Sequence, residues 1–293
     1  MRRILITGAD SYIGKSFVEW LAEETHQYKI DTVDTKSDIW KKHNFGMYDV
    51  IFHVAGIAHA DTSKVSETEK KRYYRVNCDL AFEVAKKAKE EKVGQFIFMS
   101  SMVVYGEGVG TKNYRITKNT EPNPSNFYGD SKLQAEMKLV TLEDATFRIA
   151  TLRPPMIYGK NSKGNYLILS KIARRTPIFP NIVNCRSMLH IDNLCEFVRL
   201  IIENQEKGVF FPQNREYVKT SEMVRLIAKM HNKRVILLPG LGWLINLIGK
   251  APGKVGKLTS KAFGSMQYDM NMSEYEVDYR VNSFVESIRR TER

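Results

Sequence analysis

Short apolar runs alternate, over the first half of the chain, with longer stretches in which apolar residues recur every three or four positions. The short runs are typical of buried strands. We predict strands at Ile4–Ile6, Lys29–Asp34, Asp49–Val54, Gln95–Met99 and Thr146–Leu152. The longer stretches predict amphipathic helices after the first strand and at Ser66–Lys92, Asn126–Val140, Ile191–Asn204 and Thr220–His231. Strands that alternate with helices predict an α/β fold with a doubly wound parallel sheet.

The regular alternation ends at Arg153–Pro155, where two consecutive prolines interrupt regular structure. We therefore expect a core of residues 1–160, to which residues 186–204 return. Residues 161–185 and 205–293 are expected to form a smaller C-terminal lobe. The chain shows no internal repeat, which excludes a solenoid.

The composition is that of a globular protein. Of the 293 residues, 43% are hydrophobic, which excludes a disordered chain. The net charge of +12 favours an anionic partner. Cys78, Cys185 and Cys195 form no CxxC pair, which indicates reduced thiols and a cytoplasmic protein. The six histidines lack metal-ligand spacing, so we expect no metal site, and we expect His53 to pack beside its strand.

A glycine-rich turn joins the first predicted strand to the first predicted helix. Glycine at Gly8 and Gly14 lets the backbone approach a ligand closely. Ser11, Tyr12 and Ile13 stand at the start of the helix, where free N–H groups and the helix dipole favour a pyrophosphate. We predict that these five residues form a dinucleotide-binding turn of the Rossmann type, with Ser11 in place of the usual middle glycine.

Asp34 ends the second predicted strand, 20 residues after Gly14. An acid at this spacing accepts hydrogen bonds from the adenosine ribose hydroxyls, which favours NAD. Lys36 follows two positions later and is able to bind a 2′-phosphate, so NADP stays open as the cofactor.

Ser101 follows the fourth predicted strand, and Tyr128 and Lys132 lie in the helix that comes next. The four-residue spacing places the phenol and the ammonium on one face of that helix. The cation favours tyrosinate and lowers a phenol pKa that is normally about 10. We therefore predict a catalytic set in which Tyr128 acts as an acid or a base near neutral pH.

These motifs, in this order, resemble the extended short-chain dehydrogenase/reductase family, and within it the NAD-dependent epimerase/dehydratase group that acts on nucleotide sugars. The resemblance covers essentially the whole chain. It also includes Asp49–Gly56, Val76–Asn77, Phe96–Ser101 and Leu152–Gly159.

The resemblance implies roles for individual residues. Ser101 would bind the sugar oxygen, Tyr128 would be the acid/base, and Lys132 would bind the nicotinamide ribose and tune Tyr128. The further residues implied to line the cofactor cleft are Ala55, Gly56, Asn77 and Pro154. The further residues implied to contact the substrate are Met102, Asn165 and Arg186, of which Arg186 would grip the diphosphate.

Departures from the family pattern narrow the reaction. Met102 and Val103 stand where the 4,6-dehydratases of the family carry an Asp-Glu pair, so we do not expect dehydration. The segments 153–166 and 184–194 are similar to bacterial C4-ketoreductases of capsule and surface-polysaccharide synthesis, which implies reduction of a UDP-4-keto-6-deoxy-N-acetylhexosamine.

Two alternatives stay open. The first is a UDP-glucose or UDP-N-acetylglucosamine 4-epimerase with tightly bound NAD. The second is a non-catalytic NAD(P)-binding regulatory or nucleic-acid-binding protein, which the complete set of Ser101, Tyr128 and Lys132 disfavours.

The resemblance also implies a homodimer that pairs through two long helices, with a nucleotide sugar as substrate and no nucleic acid. The segment Leu237–Lys261 combines apolar residues with four lysines, a composition found at anionic membrane surfaces. Its glycines and prolines favour instead a helix over the substrate lobe. We see no export signal, and the uncharged stretch Val235–Gly249 is shorter than the roughly 20 residues of a membrane span.

Overall fold

A computed structural model of the chain describes residues 1–22, 26–58, 65–106, 114–241 and 264–293. Its strands are β1 (Arg2–Thr7), β2 (Tyr28–Val33), β3 (Val50–His53), β4 (Gln95–Met99), β5 (Tyr114–Ile116), β6 (Arg148–Leu152), β7 (Met156–Tyr158), β8 (Ile178–Pro180), β9 (Met188–His190), β10 (Gly208–Phe210), β11 (Ile236–Leu238) and β12 (Met266–Tyr268). Its helices are α1 (Tyr12–Trp20), α2 (Glu67–Tyr74), α3 (Leu80–Glu90), α4 (Phe127–Val140), α5 (Asn165–Ala173), α6 (Ile191–Glu203), α7 (Thr220–Met230) and α8 (Phe284–Glu292).

Six strands form one parallel sheet in the order β10-β6-β4-β3-β1-β2. The five predicted strands are confirmed as β1, β2, β3, β4 and β6. The helices predicted after β1, at Asn126–Val140, at Ile191–Asn204 and at Thr220–His231 are confirmed as α1, α4, α6 and α7, and the one predicted at Ser66–Lys92 is divided into α2 and α3. The direction of winding reverses at β1, since β2 lies on one side of it and β3 on the other. In a doubly wound sheet the ligand crevice lies at the carboxyl ends of the strands at such a reversal. The ends of β1, β3 and β4 are therefore where a site is expected.

Alternate strand residues pack into two hydrophobic layers. Ile4 and Ile6 of β1 pack in the layer of α1 and α6, whereas Leu5 packs with α3 and α4 on the other face. All three side chains are fully buried. Each such side chain stabilises the fold by roughly 1.5–3 kcal/mol relative to an exposed one. The sheet is thus covered on both faces, as the alternation of strands and helices predicts.

The remaining strands pair two by two outside the main sheet: β5 with β12, β7 with β9, and β8 with β11. Helices α5 and α7 pack together there, around Leu169, Met223 and Ile227. Helix α6 packs instead on α1, whereas β9, which precedes it, pairs with β7 outside the main sheet. The division into a core and a lobe stays a prediction.

One short strand departs from the expected division of the chain. Residues 205–293 were expected in the lobe, but Gly208–Phe210 forms β10 and pairs with β6 at the edge of the main sheet. Gly208 and Val209 are exposed and Phe210 is only partly buried. A three-residue edge strand of this kind has no buried apolar run, so the sequence pattern could not indicate it.

Most of the segment Leu237–Lys261 lies outside the described residues, and the helix predicted there stays a prediction. Its first residues, up to Leu238, belong to β11. Among the described helices, none is long and apolar enough to span a membrane.

His53 of β3 is fully buried in the middle of the sheet. Its Nδ1 lies 2.8 Å from Thr7 Oγ1, and its ring stacks on Phe96 and Phe98 at centroid distances of 5.7 and 6.1 Å. The expected packing beside its strand is confirmed. Burial, and to a smaller extent the positive charge of Lys132, lowers the pKa of His53 to about 3.

We expect His53 to make the fold sensitive to acid. The unfolded chain binds a proton there below about pH 6.5, whereas the folded chain does not until about pH 3. The free energy of unfolding should therefore fall below pH 6.5, by about 2 kcal/mol from this residue at pH 5. Urea unfolding between pH 7 and pH 5 should show a smaller decline in His53→Gln than in the exposed-site control His26→Gln. Equal declines in the two variants would contradict the assignment.

Candidate active site

The turn after β1 lies directly against the segment after β3. Gly8 has a φ of +94°, which favours glycine, and a Cβ there would lie 2.9 Å from the Ala55 backbone. Ser11 caps α1 by accepting a hydrogen bond from the Gly14 N–H at 2.9 Å. A Cβ on Gly14 would lie 2.8 Å from that Ser11 Oγ. Both glycines are therefore required by close approach, and the two segments together line the crevice.

The first turn of α1 presents its backbone to this crevice. Tyr12 and Ile13 open the helix, so their N–H groups have no intrahelical acceptor. Together with the positive end of the helix dipole, these N–H groups suit a phosphate. The Tyr12 phenol lies elsewhere: its hydroxyl is buried, 2.7 Å from where a Cβ on Gly159 would stand. At Tyr12 it is thus the backbone, and not the side chain, that suits a phosphate ligand.

Asp34 follows β2 at the same edge of the sheet. Its Oδ1 accepts a hydrogen bond from the Lys36 N–H at 2.9 Å, and its side chain is 52% exposed. The Lys36 Nζ lies 2.9 Å from Asp10 Oδ2 and 3.9 Å from Asp34 Oδ2. The carboxylate of Asp34 is therefore accessible to ribose hydroxyls, while the neighbouring ammonium is shared between two acids.

Ser101 and Tyr128 meet at the carboxyl end of β4. Ser101 caps a short 3-10 helix, Met102–Tyr105, by accepting a hydrogen bond from the Val103 N–H at 3.3 Å. Tyr128 lies in the first turn of α4, which comes so close to this turn that a Cβ on Gly129 would lie 2.6 Å from Val103 O. Burial raises the pKa of Tyr128, and the nearby Ser101 hydroxyl opposes that rise. The lowering of this pKa by Lys132 that the sequence predicted is not found, because burial is the larger effect. The two predicted hydroxyls thus lie close together at the end of β4.

Lys132 lies one turn further along α4 and is buried, with only 5% of its surface exposed. Its ammonium donates a hydrogen bond to Met99 O at 2.8 Å and lies 4.7 Å from the centroid of the Phe98 ring. Burial lowers the pKa of Lys132 to about 8. A Cβ on Gly56 would lie 3.2 Å from the ammonium, so the segment after β3 passes directly beside it.

A π-helical turn, Arg75–Asp79, separates α2 from α3 and carries Asn77. The Asn77 Oδ1 accepts a hydrogen bond from the Ile57 N–H at 2.8 Å, and its Nδ2 donates to Ile57 O and Ser131 Oγ, both at 3.1 Å. Asn77 thereby fixes the segment after β3 to the catalytic helix α4. Its direct contact with a cofactor stays a prediction.

A buried ion pair that the sequence analysis did not single out lies beside the predicted catalytic residues. Arg153 Nε donates to Glu136 Oε2 at 3.1 Å, and Arg153 Nη1 donates to Tyr105 OH at 2.6 Å. Glu136 also accepts a hydrogen bond from Ser100 Oγ. The pair joins the ends of β4 and β6 to α4. One signal was available in the sequence, because Glu136 stands one helical turn after Lys132.

Met102 and Pro154 connect the ends of β4 and β6. The Met102 N–H donates to Pro154 O at 2.9 Å, and the Met102 side chain is 6% exposed. Pro154 is buried as well. Contacts of Met102 with substrate and of Pro154 with the cofactor stay predictions.

Asn165 and Arg186 both lie outside the main sheet. Asn165 begins α5, directly after Gly164, whose φ is +94°. Arg186 exchanges two backbone hydrogen bonds with Val218 and also bridges to Met266. Burial lowers the pKa of Arg186 to about 10, so its guanidinium remains a cation at neutral pH. Binding of substrate by these two residues stays a prediction.

Comparison with protein families identifies the group to which the chain is related. Residues 4–218 match the family model described as NAD dependent epimerase/dehydratase family. The chain belongs to this family. The match confirms the resemblance seen in the motifs, and the doubly wound sheet confirms the Rossmann-type fold.

Two known bacterial proteins align with most of the chain. A protein of Vibrio cholerae named UDP-glucose 4-epimerase is 29% identical, over 95% of this chain and 90% of that protein. A protein of Escherichia coli O157:H7, N-acetyl-alpha-D-glucosaminyl-diphospho-ditrans,octacis-undecaprenol 4-epimerase, is 24% identical over 86% of this chain and 81% of its own length.

Solved structures with the same fold include reductases and epimerases. A dTDP-4-dehydrorhamnose reductase from Clostridium acetobutylicum superimposes with a TM-score of 0.74 at 16% identity, over 99% of this chain and 98% of that chain. A UDP-glucuronic acid 4-epimerase from Bacillus cereus, in complex with NAD, has a TM-score of 0.71 at 16% identity, over 98% and 96%.

The family depends on NAD or NADP, and the described residues fit such a cofactor. Gly8 and Gly56, after β1 and β3, let these segments pack closely on each other and on Lys132 at the carboxyl ends of the strands. The N–H groups that open α1 suit the pyrophosphate, and the accessible Asp34 suits the ribose.

We expect Asp34 to favour NADH over NADPH, because its carboxylate accepts hydrogen bonds from ribose hydroxyls and repels a 2′-phosphate. Asp34→Asn should lower the NADH/NADPH ratio of kcat/KM about tenfold, the effect of losing one charged hydrogen bond. Lys36→Gln should raise that ratio. The exposed-acid control Asp38→Asn should leave it unchanged. An unchanged ratio in Asp34→Asn would contradict the assignment.

We also expect Glu136 to influence the pH dependence of activity through Lys132. The charge of Glu136 raises the pKa of Lys132 against the larger effect of burial. The alkaline limb of kcat/KM, expected near pH 8, should therefore move to lower pH in Glu136→Gln. It should move to higher pH in Arg153→Gln, which leaves the carboxylate unpaired. Both variants should lose about 3–5 kcal/mol of stability, because each leaves one partner of the buried ion pair alone. A purely structural role of the pair would not move the alkaline limb in opposite directions in the two variants.

Proposed function

We propose that the protein is an NAD(P)-dependent oxidoreductase that acts at C4 of a nucleotide sugar. The observation that carries this proposal is that Ser101, at the end of β4, lies near the Tyr128 hydroxyl of α4, while the buried Lys132 follows one turn later on the same helix. Such a set is able to move one proton to or from one oxygen, as hydride transfer at a ketone or an alcohol requires. The names of the relatives support a nucleotide sugar as substrate and C4 as the reacting carbon.

Three side chains would divide the proton chemistry of a reduction. Ser101 holds the ketone oxygen by a hydrogen bond, and Tyr128 gives its proton to that oxygen as negative charge develops. The ammonium of Lys132 then stabilises the tyrosinate that remains. The nicotinamide of the bound coenzyme supplies the hydride. Because burial raises the pKa of Tyr128, the phenol keeps its proton until a substrate oxygen is in place.

Dehydration is not part of the proposal, because the turn after Ser101 lacks the groups for it. Loss of water across C5 and C6 needs a further acid and a further base. Met102 and Val103 have no titratable group, and the phenol of Tyr105 is held by Arg153.

As substrate we propose a UDP-4-keto-6-deoxy-N-acetylhexosamine, reduced for capsule or surface-polysaccharide synthesis. The likeness of the segments around Gly159 and Arg186 to C4-ketoreductases supports this choice. Arg186 carries a positive charge at neutral pH and would grip the diphosphate, while Asn165 would bond the nucleotide.

The second candidate is 4-epimerisation of UDP-glucose or UDP-N-acetylglucosamine. The 29% identity with the Vibrio cholerae protein named UDP-glucose 4-epimerase favours it. Both reactions use the same proton-transfer residues. They differ in coenzyme use, because an epimerase regenerates its coenzyme within each turnover whereas a reductase consumes one equivalent.

We expect the purified protein to consume NADH or NADPH in a one-to-one ratio with UDP-4-keto-6-deoxy-N-acetylglucosamine, followed by absorbance and product NMR. Tyr128→Phe should lower kcat by a factor of about 10²–10⁴, because the proton donor is lost. The control Tyr28→Phe removes a hydroxyl at the amino end of β2, far along the strand from the site, and should keep activity.

Other outcomes decide between the candidates. Interconversion of UDP-glucose or UDP-N-acetylglucosamine without added reductant would establish the epimerase. Coenzyme binding without turnover of any sugar nucleotide, together with full retention of that binding in Tyr128→Phe, would overturn the enzymatic proposal and favour a regulatory protein.

A further inference from the structure

Two long stretches of the chain contain no acidic residue. Residues 145–191 and 223–268 together hold sixteen of the 45 lysines and arginines and none of the 33 aspartates and glutamates. The rest of the chain therefore has a small negative net charge, and the overall +12 arises from these two stretches. Arg153 and Arg186 belong to the site described above, but most of the excess cations do not.

Described parts of the two acid-free stretches meet outside the main sheet. Helix α5 packs on α7, and β8 pairs in parallel with β11. Lys233, which follows α7, donates a hydrogen bond to Arg174 O at the end of α5. The exposed side of α5 and the turn that follows the helix lie at the centre of this region, and we call this surface the α5 face. It consists of Leu167, Ile168, Lys171, Ile172, Arg174 and Arg175.

The α5 face mixes apolar and cationic side chains within three helical turns. Leu167, Ile168 and Ile172 are 45%, 44% and 38% exposed, although the opposite side of the helix is buried in the lobe. A groove of about 420 Å³ lies between Ile168, Ile172, Lys171 and Arg175. Apolar side chains that are exposed next to one another, with cations around them, are typical of an interaction surface.

The cations of the α5 face have no acidic partner among the described residues. Lys171, Arg174 and Arg175 form no ion pair there. Exposed lysines of the core are different: Lys70 lies 2.6 Å from Glu67 and Lys138 lies 2.8 Å from Asp79. The positive charge of the α5 face is therefore not balanced locally, and an anionic surface would balance it.

We propose that the α5 face docks the protein onto an anionic lipid bilayer. Lysine and arginine attract the headgroups of anionic lipids, and the leucine and isoleucine side chains enter the boundary between headgroups and acyl chains. The mixture of cationic and apolar side chains favours a lipid bilayer over a nucleic acid or a second copy of the chain. A nucleic acid would leave the apolar side chains in water. A second copy of the α5 face would be repelled, because both faces are positively charged. The proposal does not depend on which reaction the active site performs.

Vesicle sedimentation tests the proposal with the full chain. Vesicles of phosphatidylcholine with 30% phosphatidylglycerol should bind the protein at 0.1 M salt, and vesicles of pure phosphatidylcholine should not. Substitution of Lys171, Arg174 and Arg175 by Gln should weaken binding by about fivefold per cation removed. Ile168→Ser with Ile172→Ser should weaken binding as well, at unchanged charge. The matched control replaces three exposed lysines of the core, Lys29, Lys71 and Lys86, by Gln, and should bind almost as the parent does.

The same experiment contains the results that would overturn the proposal. Equal loss of binding in the α5-face and control triple variants would mean that net charge alone is responsible. Loss of binding only when Lys250, Lys254, Lys257 and Lys261 are replaced by Gln would assign it to that segment instead. Salt-sensitive retention on DNA without retention on vesicles would assign the face to nucleic acid. Unchanged thermal unfolding and coenzyme binding in each variant will show that the fold is intact.

Discussion

The buried ammonium of Lys132 is the constraint around which the site is arranged. An isolated buried cation is strongly unfavourable, and it persists only where partners compensate it. Here the partners are Met99 O, the face of the Phe98 ring and the negative charge of Glu136 one turn away. They compensate it only in part, since burial lowers the pKa of Lys132 to about 8. The ammonium therefore keeps its proton at neutral pH but is close to losing it, as suits a group that supports proton transfer by a phenol.

Separate local devices bring the remaining groups to that ammonium. The Ser101 hydroxyl accepts a hydrogen bond from the Val103 N–H, which fixes this side chain at the end of β4. The lack of a side chain at Gly129 lets α4 approach the same turn. Asn77, in its π-helical turn, fixes the segment after β3 to the same helix. The ion pair of Glu136 and Arg153 then ties the ends of β4 and β6 to α4. Each device is short in sequence, but all of them act on one helix, so the positions of the two hydroxyls and the ammonium are coupled.

The sequence predicts most of the sheet because strands that are buried on both faces are mostly apolar, as β3 and β4 are apart from His53 and Gln95. It also predicts that Ser101, Tyr128 and Lys132 lie in one region, because parallel strands end at one edge of the sheet and residues four apart lie on one face of a helix. It does not predict the π-helical turn at Asn77 or the bond between Arg153 and Tyr105, which depend on contacts between residues far apart in sequence. Strand β10 was not predicted, because it is defined by its pairing with β6 and not by a hydrophobic pattern.

The distribution of charge indicates that the predicted cofactor site and the α5 face would bind anions by different means. At the predicted cofactor site, Asp10, Lys15, Lys36 and Asp34 are paired with one another, and the N–H groups of α1 would hold a phosphate without a side-chain cation. Binding of a dinucleotide there would not depend on the net charge. The excess cations lie in the acid-free stretches 145–191 and 223–268, where only Arg186 is assigned to a diphosphate. The basic isoelectric point thus arises from two segments of the chain, and the α5 face is the described surface on which three of their cations are exposed without an acidic partner among the described residues.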